Sequence, residues 1–395
     1  MYSKLVSMCP TRLLGAALVA LLAVLVPDDS SAQQPADDET SSSDAPMAGY
    51  DGGFFIDGAD GDFRINIGGR VQTQLRTLVV DNGDDHDLDQ LGFRIRRARL
   101  KIKGHAFSPR LTYQLQPELA GDSPSLRDYF FNYEFLADTL EGRVGQWRYP
   151  FLRQEITSSG SLMLVDRSLV GSTFGDSFDT GVALHNRYKT APVSWVVGVF
   201  NGATSRLGGV SFDNTVAPSR FGPAVVARAA YNYGPIKAYS EGDLEGGPLR
   251  FSVGGAVSGQ PGIDRPNQSE FKATLDYMLK VEGFSTSGAA VLGTTQEGDG
   301  LGDQETVATG FFAQAGYLIN DFIQPAVRYS QVRLTGTAAS DDESDDLQHE
   351  ALGGLNLYFY GHRLKWQTDA GAIVTDVRDR TRTNFQARTQ LQLAF

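Results

Sequence analysis

Residues 63–76 read FRINIGGRVQTQLR, and the stretch alternates. Phe63, Ile65, Ile67, Val71 and Leu75 fall on one parity; Arg64, Asn66, Arg70, Gln72, Gln74 and Arg76 fall on the other. A β-strand sends successive side chains to opposite faces, so this period of two makes one apolar face and one polar face. The alternation outlasts the ~5–6 residues of an ordinary strand. Its length suits a tilted strand that crosses a bilayer, for which ~9–11 residues suffice.

The pattern recurs to the end of the chain. Strands are expected near 63–78, 93–105, 110–119, 126–135, 140–149, 178–188, 193–201 and 223–232. Eight more follow near 249–258, 270–280, 281–293, 306–318, 322–333, 347–359, 363–375 and 384–395. Sixteen is an even number, as a bacterial single-chain barrel requires. Connections such as Phe107-Ser108-Pro109 and Tyr360-Gly361-His362 are short, and alternate with long polar ones such as 79–92, 294–305 and 334–346. Short turns at one mouth and long loops at the other belong to an outer-membrane barrel. One connection on the short side, 233–248, is long. The expected fold class is all-β, a transmembrane antiparallel β-barrel of 16 strands.

Aromatic residues gather at strand ends: Tyr129, Phe131, Tyr133 and Phe135, then Trp147, Tyr149 and Phe151, then Tyr358 to Tyr360. Rings with one wet and one apolar end settle at the membrane interface, so these read as girdles facing lipid. In the last strand Phe385, Ala387, Thr389, Leu391, Leu393 and Phe395 share one face, opposite Gln386, Arg388, Gln390 and Gln392. A terminal Phe closing such a strand resembles the assembly signal that hands barrels to their insertion machinery in the outer membrane.

The first residues read differently. Lys4 and Arg12 precede an unbroken apolar run of 14 residues, Leu13–Val26, and then Ser30-Ser31-Ala32. A charged leader, a short apolar run and small residues form a signal peptide over 1–32, with cleavage after Ala32. The run is shorter than the ~20 residues of a helical membrane span. Residues 33–53 are acidic and rich in Pro and Ser, and read as a flexible tail before a barrel domain at 54–395. The single cysteine, Cys9, lies in the leader, so neither a disulfide nor a cysteine zinc site is expected after cleavage.

The formal net charge of −12 argues against nucleic acid as a partner. It is also unevenly spread. Residues 37–44, 81–89, 297–305 and 341–346 hold 18 acids and no Lys or Arg, leaving 29 acids against 35 bases elsewhere. The acidity sits in the tail and three external loops, and the barrel is basic. Of the bases 27 are Arg and 8 are Lys. With Ala98, Leu100 and Ile102 toward lipid, Arg97, Arg99, Lys101 and Lys103 form a ladder on the pore wall, beside Arg64, Arg70 and Arg76. Basic rings in a pore attract anions, and the guanidinium fork suits phosphate oxygens.

Residues 150–177 form the longest insertion after an upward strand, less polar than the other loops. Folded into the lumen it would act as a constriction loop and bring Arg153, Asp166 and Arg167 to the transport path; a surface loop packed on its neighbours is the alternative.

Two stretches, GFRIRRARLKIKG (92–104) and GRVGQWRYPFLRQEITSSGSLMLVDRSL (142–169), resemble the phosphate-selective porin O and P family. FFIDGADGDFRINIGGRVQ (54–72) resembles its opening strand and YSEGDLEGGPLRFSVGGAV (239–257) its long mid-chain turn. The resemblance implies a trimeric channel of the Gram-negative outer membrane, in which arginines guide phosphate or polyphosphate to a narrow, lysine-lined waist. Arg97, Arg99, Arg143, Arg153 and Arg167 sit in the matching motifs, whereas lysine is scarce.

The reading is an outer-membrane porin with anion preference, its partners being phosphate or other small anions, outer-membrane lipid, the barrel assembly machinery and two further copies of itself. A general diffusion porin, or one for another small solute, is the alternative, because a barrel does not dictate its cargo. No cofactor or metal is expected. His86, His105, His185, His349 and His362 are scattered, and no nucleophile, base and acid are grouped in sequence, which argues against a barrel enzyme.

Overall fold

The computed structural model describes residues 47–395, apart from 82, 84, 122, 176–177, 188, 203–221, 262–267, 299–302, 338–342 and 378–379. The expected signal peptide and residues 33–46 of the acidic tail lie outside the described residues. Two short strands come first, β1 (Ala48–Tyr50) and β2 (Phe54–Asp57). The wall begins with β3 (Arg64–Asp81), β4 (His86–Ala106), β5 (Ser108–Glu118), β6 (Ser125–Leu136), β7 (Leu140–Arg148) and β8 (Phe178–His185). It continues with β9 (Val193–Phe200), β10 (Ala224–Tyr233), β11 (Arg250–Gln260), β12 (Gln268–Val281) and β13 (Phe284–Gly298). It ends with β14 (Asp303–Tyr317), β15 (Ile323–Thr337), β16 (Glu343–Tyr358), β17 (Leu364–Val377) and β18 (Arg380–Ala394). Two short helices, α1 (Arg153–Ile156) and α2 (Leu169–Phe174), lie between β7 and β8.

From β3 onward each strand pairs antiparallel with the next, and β18 pairs back onto β3, so the sixteen strands close. Each expected strand has its counterpart. Several run further outward than expected: β13 and β14 stay paired as far as Gly298↔Asp303. Hydrophobic alternation marks only the part of a hairpin that crosses lipid, whereas backbone pairing can continue in water with polar side chains on both faces. The tail expected to reach residue 53 is also shorter, because Ala48–Tyr50 pairs with β2.

Polarity is inverted relative to a water-soluble sheet. Outward residues such as Phe93 (81% exposed) and Leu275 (72%) are apolar, while the inward Gln72, Lys280 and Lys365 are fully buried. This is the distribution of a barrel with lipid outside and polar groups within.

The barrel closes at a seam between β18 and β3. Gly69 N donates to Phe395 O at 2.8 Å, and Phe395 N returns a bond to Gly69 O at 3.0 Å. A Cβ on Gly69 would stand 2.7 Å from Cζ of the Phe395 ring, and one on Gly68 2.7 Å from Phe395 O. These glycines let the terminal residue lie flat on the first strand of the ring. Deleting Phe395 is therefore expected to reduce the yield of heat-modifiable folded barrel, measured by gel shift. Gly69→Val should do the same by displacing the ring, and wild-type yield in both variants would disprove this account of the seam.

The connection from β7 to β8 folds into the barrel. Its residues bond inward-facing groups on widely separated strands: Tyr149 OH to Ser258 Oγ (2.7 Å), Ser159 Oγ to Arg70 (2.8 Å) and Met163 O to Asn356 Nδ2 (2.8 Å). Further on, Val165 N donates to Asp369 (2.9 Å) and Asp166 O accepts from Arg328 (2.8 Å). Only a segment inside the ring can reach all of these. Helix α2 is capped by Ser168, whose Oγ accepts from Gly171 N at 3.1 Å.

Phe151, Leu152, Ile156, Val170 and Phe174 of the insertion pack with inward Val226, Ala256, Val291, Phe312 and Val332 in one buried apolar cluster. Each large side chain so buried stabilises the inward position by ~1.5–3 kcal/mol. Trp147, Tyr149 and Phe151 belong to this cluster, at most 2% exposed, so they are not girdle residues as expected. The inward loop takes them to its own core. Tyr358 is likewise buried, while Phe131, Phe359 and Tyr360 are exposed.

The long connection on the short-turn side, residues 234–249, folds inward as well: Ala238, Ser240, Glu241 and Asp243 are buried, and Glu241 N donates to Ser161 O at 3.0 Å.

Candidate functional site

The inner wall is built by register. On β3 and β4 the pairs Asn66↔Lys103, Gly68↔Lys101, Arg70↔Arg99 and Gln72↔Arg97 put the two expected ladders side by side on one face. Between Gln72/Thr73 the register slips, Thr73 pairs with Ile95, and Arg96 is left unopposed. A second slip, between Gln116 and Pro117 on β5, leaves Arg127 of β6 unopposed. A β-bulge kinks its strand and re-aims a side chain. Both bulges here carry an extra arginine.

Two cavities lie on the side of the barrel that the insertion leaves open. The larger, about 670 Å³, is lined by β3 to β8, with Arg64, Arg99, Lys101, Lys103, Arg143 and Arg148 among its residues. The smaller, about 460 Å³, is lined by Arg96, Arg97, Arg127, Arg167 and Arg388 together with Glu118, Glu155, Asp166 and Glu350. Arg99 and Arg148 line both, so they stand where the two spaces adjoin.

Most of these cations are paired. Arg97 meets Asp166 at 2.9 Å, Arg96 meets the same carboxylate at 3.3 Å, and Arg388 approaches it at 3.9 Å. Burial disfavours the Asp166 anion, but Arg97, Arg96 and Arg388 outweigh that and hold it well below the usual carboxylate range. Arg99 is paired with Glu118 at 2.7 Å, while Arg148 (2.8 Å) and Arg167 (3.0 Å) share Glu155. Arg143 donates to Asn132 at 2.7 Å, its guanidinium lying 4.1 Å from the Phe130 ring centre. Lys101 and Lys103 make no ion pair among the described residues.

The remaining expected site residues are dispersed. Arg64 lines the larger cavity beside Asp57 (3.5 Å). Arg70 is occupied with Ser158 and Ser159 of the insertion, and Arg76 lines neither cavity. Arg153, expected on the path, is 4% exposed and lines neither cavity. It is turned to the opposite wall, against Asp276 at 2.6 Å and Ala238 O at 3.1 Å, because the apolar cluster draws the first turn of the insertion onto β10–β12.

Arg96, Arg127 and Arg148 are not among the site residues the sequence points to, and Arg388 is legible there only as a member of the polar face of the last strand. For the two bulges a local sign exists. Apolar residues run Ile102, Leu100, Ala98 on even numbers and then Ile95, Phe93, Leu91 on odd ones; Tyr133, Phe131, Tyr129 give way likewise to Leu126. A parity switch inside a strand requires one extra residue.

Known proteins can now be set beside this architecture. The fold is similar to the outer membrane channel DcaP of Acinetobacter baumannii, with a TM-score of 0.60 at 13% identity, covering 86% of this chain and 99% of that one. It is also similar to an anion-selective porin from Comamonas acidovorans, with a TM-score of 0.56 at 14% identity, covering 84% and 100%. At such identities the likeness is one of fold. A relative in Aquifex aeolicus (strain VF5), an uncharacterized protein, is 23% identical over 284 residues, 66% of this chain. That match spans 62% of the relative's length. Residues 65–395 match a single family throughout, and the chain is a member of it: phosphate-selective porin O and P.

Proposed function

We propose that this outer-membrane channel prefers small anions and passes phosphate or a close analogue. The observation that carries the reading is the pair Lys101 and Lys103, which form no ion pair within 4 Å among the described residues, with Asp128 acting on Lys101 only from further off, and which line the larger cavity. Around that cavity eight Lys or Arg side chains stand against three carboxylates. Fixed charge in a narrow, low-dielectric passage sets the local potential and with it the concentration of counter-ions. The insertion narrows the passage from β10–β18, and Arg99, Arg148 and Arg167 would meet an ion on its way through. Assembly as a homotrimer belongs to the same proposal on the family resemblance, and the signal peptide on the charged leader, apolar run and small residues of 1–32.

One observation favours a weaker preference. Asp166, Glu118 and Glu155 pair with six of the seven arginines that line the smaller cavity, so that end carries less net positive charge than the larger one and would favour anions less.

Planar-bilayer recording tests both readings. In a KCl gradient the reversal potential should have the sign of chloride permeation, and added phosphate should reduce the chloride current. A reversal potential near zero would replace the proposal with the general-porin reading. An anion-selective channel that phosphate leaves unaffected would keep the anion preference and remove phosphate.

A further inference from the structure

The insertion from one mouth and the turn from the other meet inside the barrel, and one side chain joins them. Glu241 is 3% exposed. Its Oε2 accepts from Met163 N at 2.7 Å and its Oε1 from Gln154 Nε2 at 3.2 Å, while its own N donates to Ser161 O at 3.0 Å. Three points of the insertion are therefore held by a single residue of the turn.

The turn is itself tied to the wall. Asp243 is fully buried, forms a 2.8 Å ion pair with Arg250 of β11, and accepts from Gly283 N at 2.9 Å. Lys280 of β12 donates to Gly242 O at 2.8 Å. The chain of contacts thus runs from wall to turn to insertion. Without the Glu241 carboxylate, Met163 N and Gln154 Nε2 would be buried donors with that acceptor removed, a costly arrangement that the insertion could relieve by moving.

We infer that Glu241 is a positioning residue, a clamp fixing the insertion at Gln154, Ser161 and Met163 and so holding the width of the passage steady. The inference rests on the reading above that the insertion narrows the passage, and it adds that its fixity depends on a residue from the opposite mouth. A rigid edge gives a steady open current, and a released one makes the width fluctuate.

The test is single-channel recording of full-length Glu241→Ala and Glu241→Gln reconstituted in planar bilayers. The alanine variant removes both acceptors; the glutamine variant keeps the shape and one acceptor oxygen. The variance of the open-channel current should rise severalfold in Glu241→Ala and less in Glu241→Gln. Barrel folding, followed by heat modifiability, should persist. Wild-type variance in folded Glu241→Ala overturns the clamp, and if that variant yields no barrel, wild-type variance in Glu241→Gln does so. Higher variance with an unchanged reversal potential supports the clamp while showing that the insertion does not set ion preference. Current noise and ion preference are separate readouts, so failure of the clamp is distinguishable from failure of the anion reading.

Discussion

Asp276→Asn should be the most damaging single substitution inside the barrel, with a loss of ~3–5 kcal/mol for breaking a buried charge network from one side. Asp276 is 3% exposed on β12 and faces two guanidiniums, Arg153 at 2.6 Å and Arg228 at 2.7 Å, each 4% exposed. One anion there compensates two cations in a site without ready access to water. The amide still fills the space but leaves two buried positive charges side by side. Arg228 Nη1 also donates to Phe151 O, so the disturbance passes to the first turn of the insertion. Urea unfolding in detergent, followed by tryptophan fluorescence, should show a lower midpoint, with Asp276→Glu nearer to wild type. An unchanged midpoint for Asp276→Asn would mean that the three groups are not coupled as their geometry indicates.

The largest effect on permeation is expected from Lys101→Glu combined with Lys103→Glu, which changes the wall by four units of charge. The two residues are two apart on β4, and side chains on one face of a strand repeat about every 6.6–6.8 Å. That spacing is within the Debye length of ~8 Å at physiological salt, so the two charges act together on a passing ion. The permeability ratio should move from anion preference to cation preference, read as a change in the sign of the reversal potential. Arg97 and Arg99 are less suitable targets, since neutralising them would remove the shortest ion pair of Asp166 and the ion pair of Glu118 as well as charge from the wall. Arg380→Gln with Arg382→Gln, at the start of β18 and lining neither cavity, should leave the ratio nearly as it was. If the lysine reversals leave the sign unchanged, the larger cavity does not govern selectivity.

Sequence periodicity was sufficient for the wall and insufficient for its filling. Alternation is a local property: each strand must present one face to lipid wherever its partners lie, so Arg97, Arg99, Lys101 and Lys103 could be assigned to the inner face directly. The surroundings of Arg153 could not be. Its partner Asp276 is 123 residues away and becomes adjacent only when the ring has closed around the insertion. The inward course of 234–249 escaped for a similar reason, since its polar groups are satisfied by Lys280, Arg250 and the insertion, not by solvent. The aromatic run Trp147 to Phe151 misled because an apolar ring suits a lipid belt and a dry interior equally.

The two bulges bear on how this channel can change by mutation. Loss of a single codon in a barrel strand ordinarily turns every later side chain to the wrong face, which no bilayer tolerates. At Arg96 and Arg127 the opposite holds. Removing Arg96 leaves Phe93, Ile95 and Ala98 outward in strict alternation with Arg94, Arg97 and Arg99, and removing Arg127 joins Leu126 to Asp128 and Tyr129 in the same way. Each bulge is a site where one positive charge can be gained or shed by the insertion or deletion of three nucleotides while the lipid-facing surface stays intact. A change of length at either point alters the charge of the wall and leaves the parity of the strand beyond it unchanged.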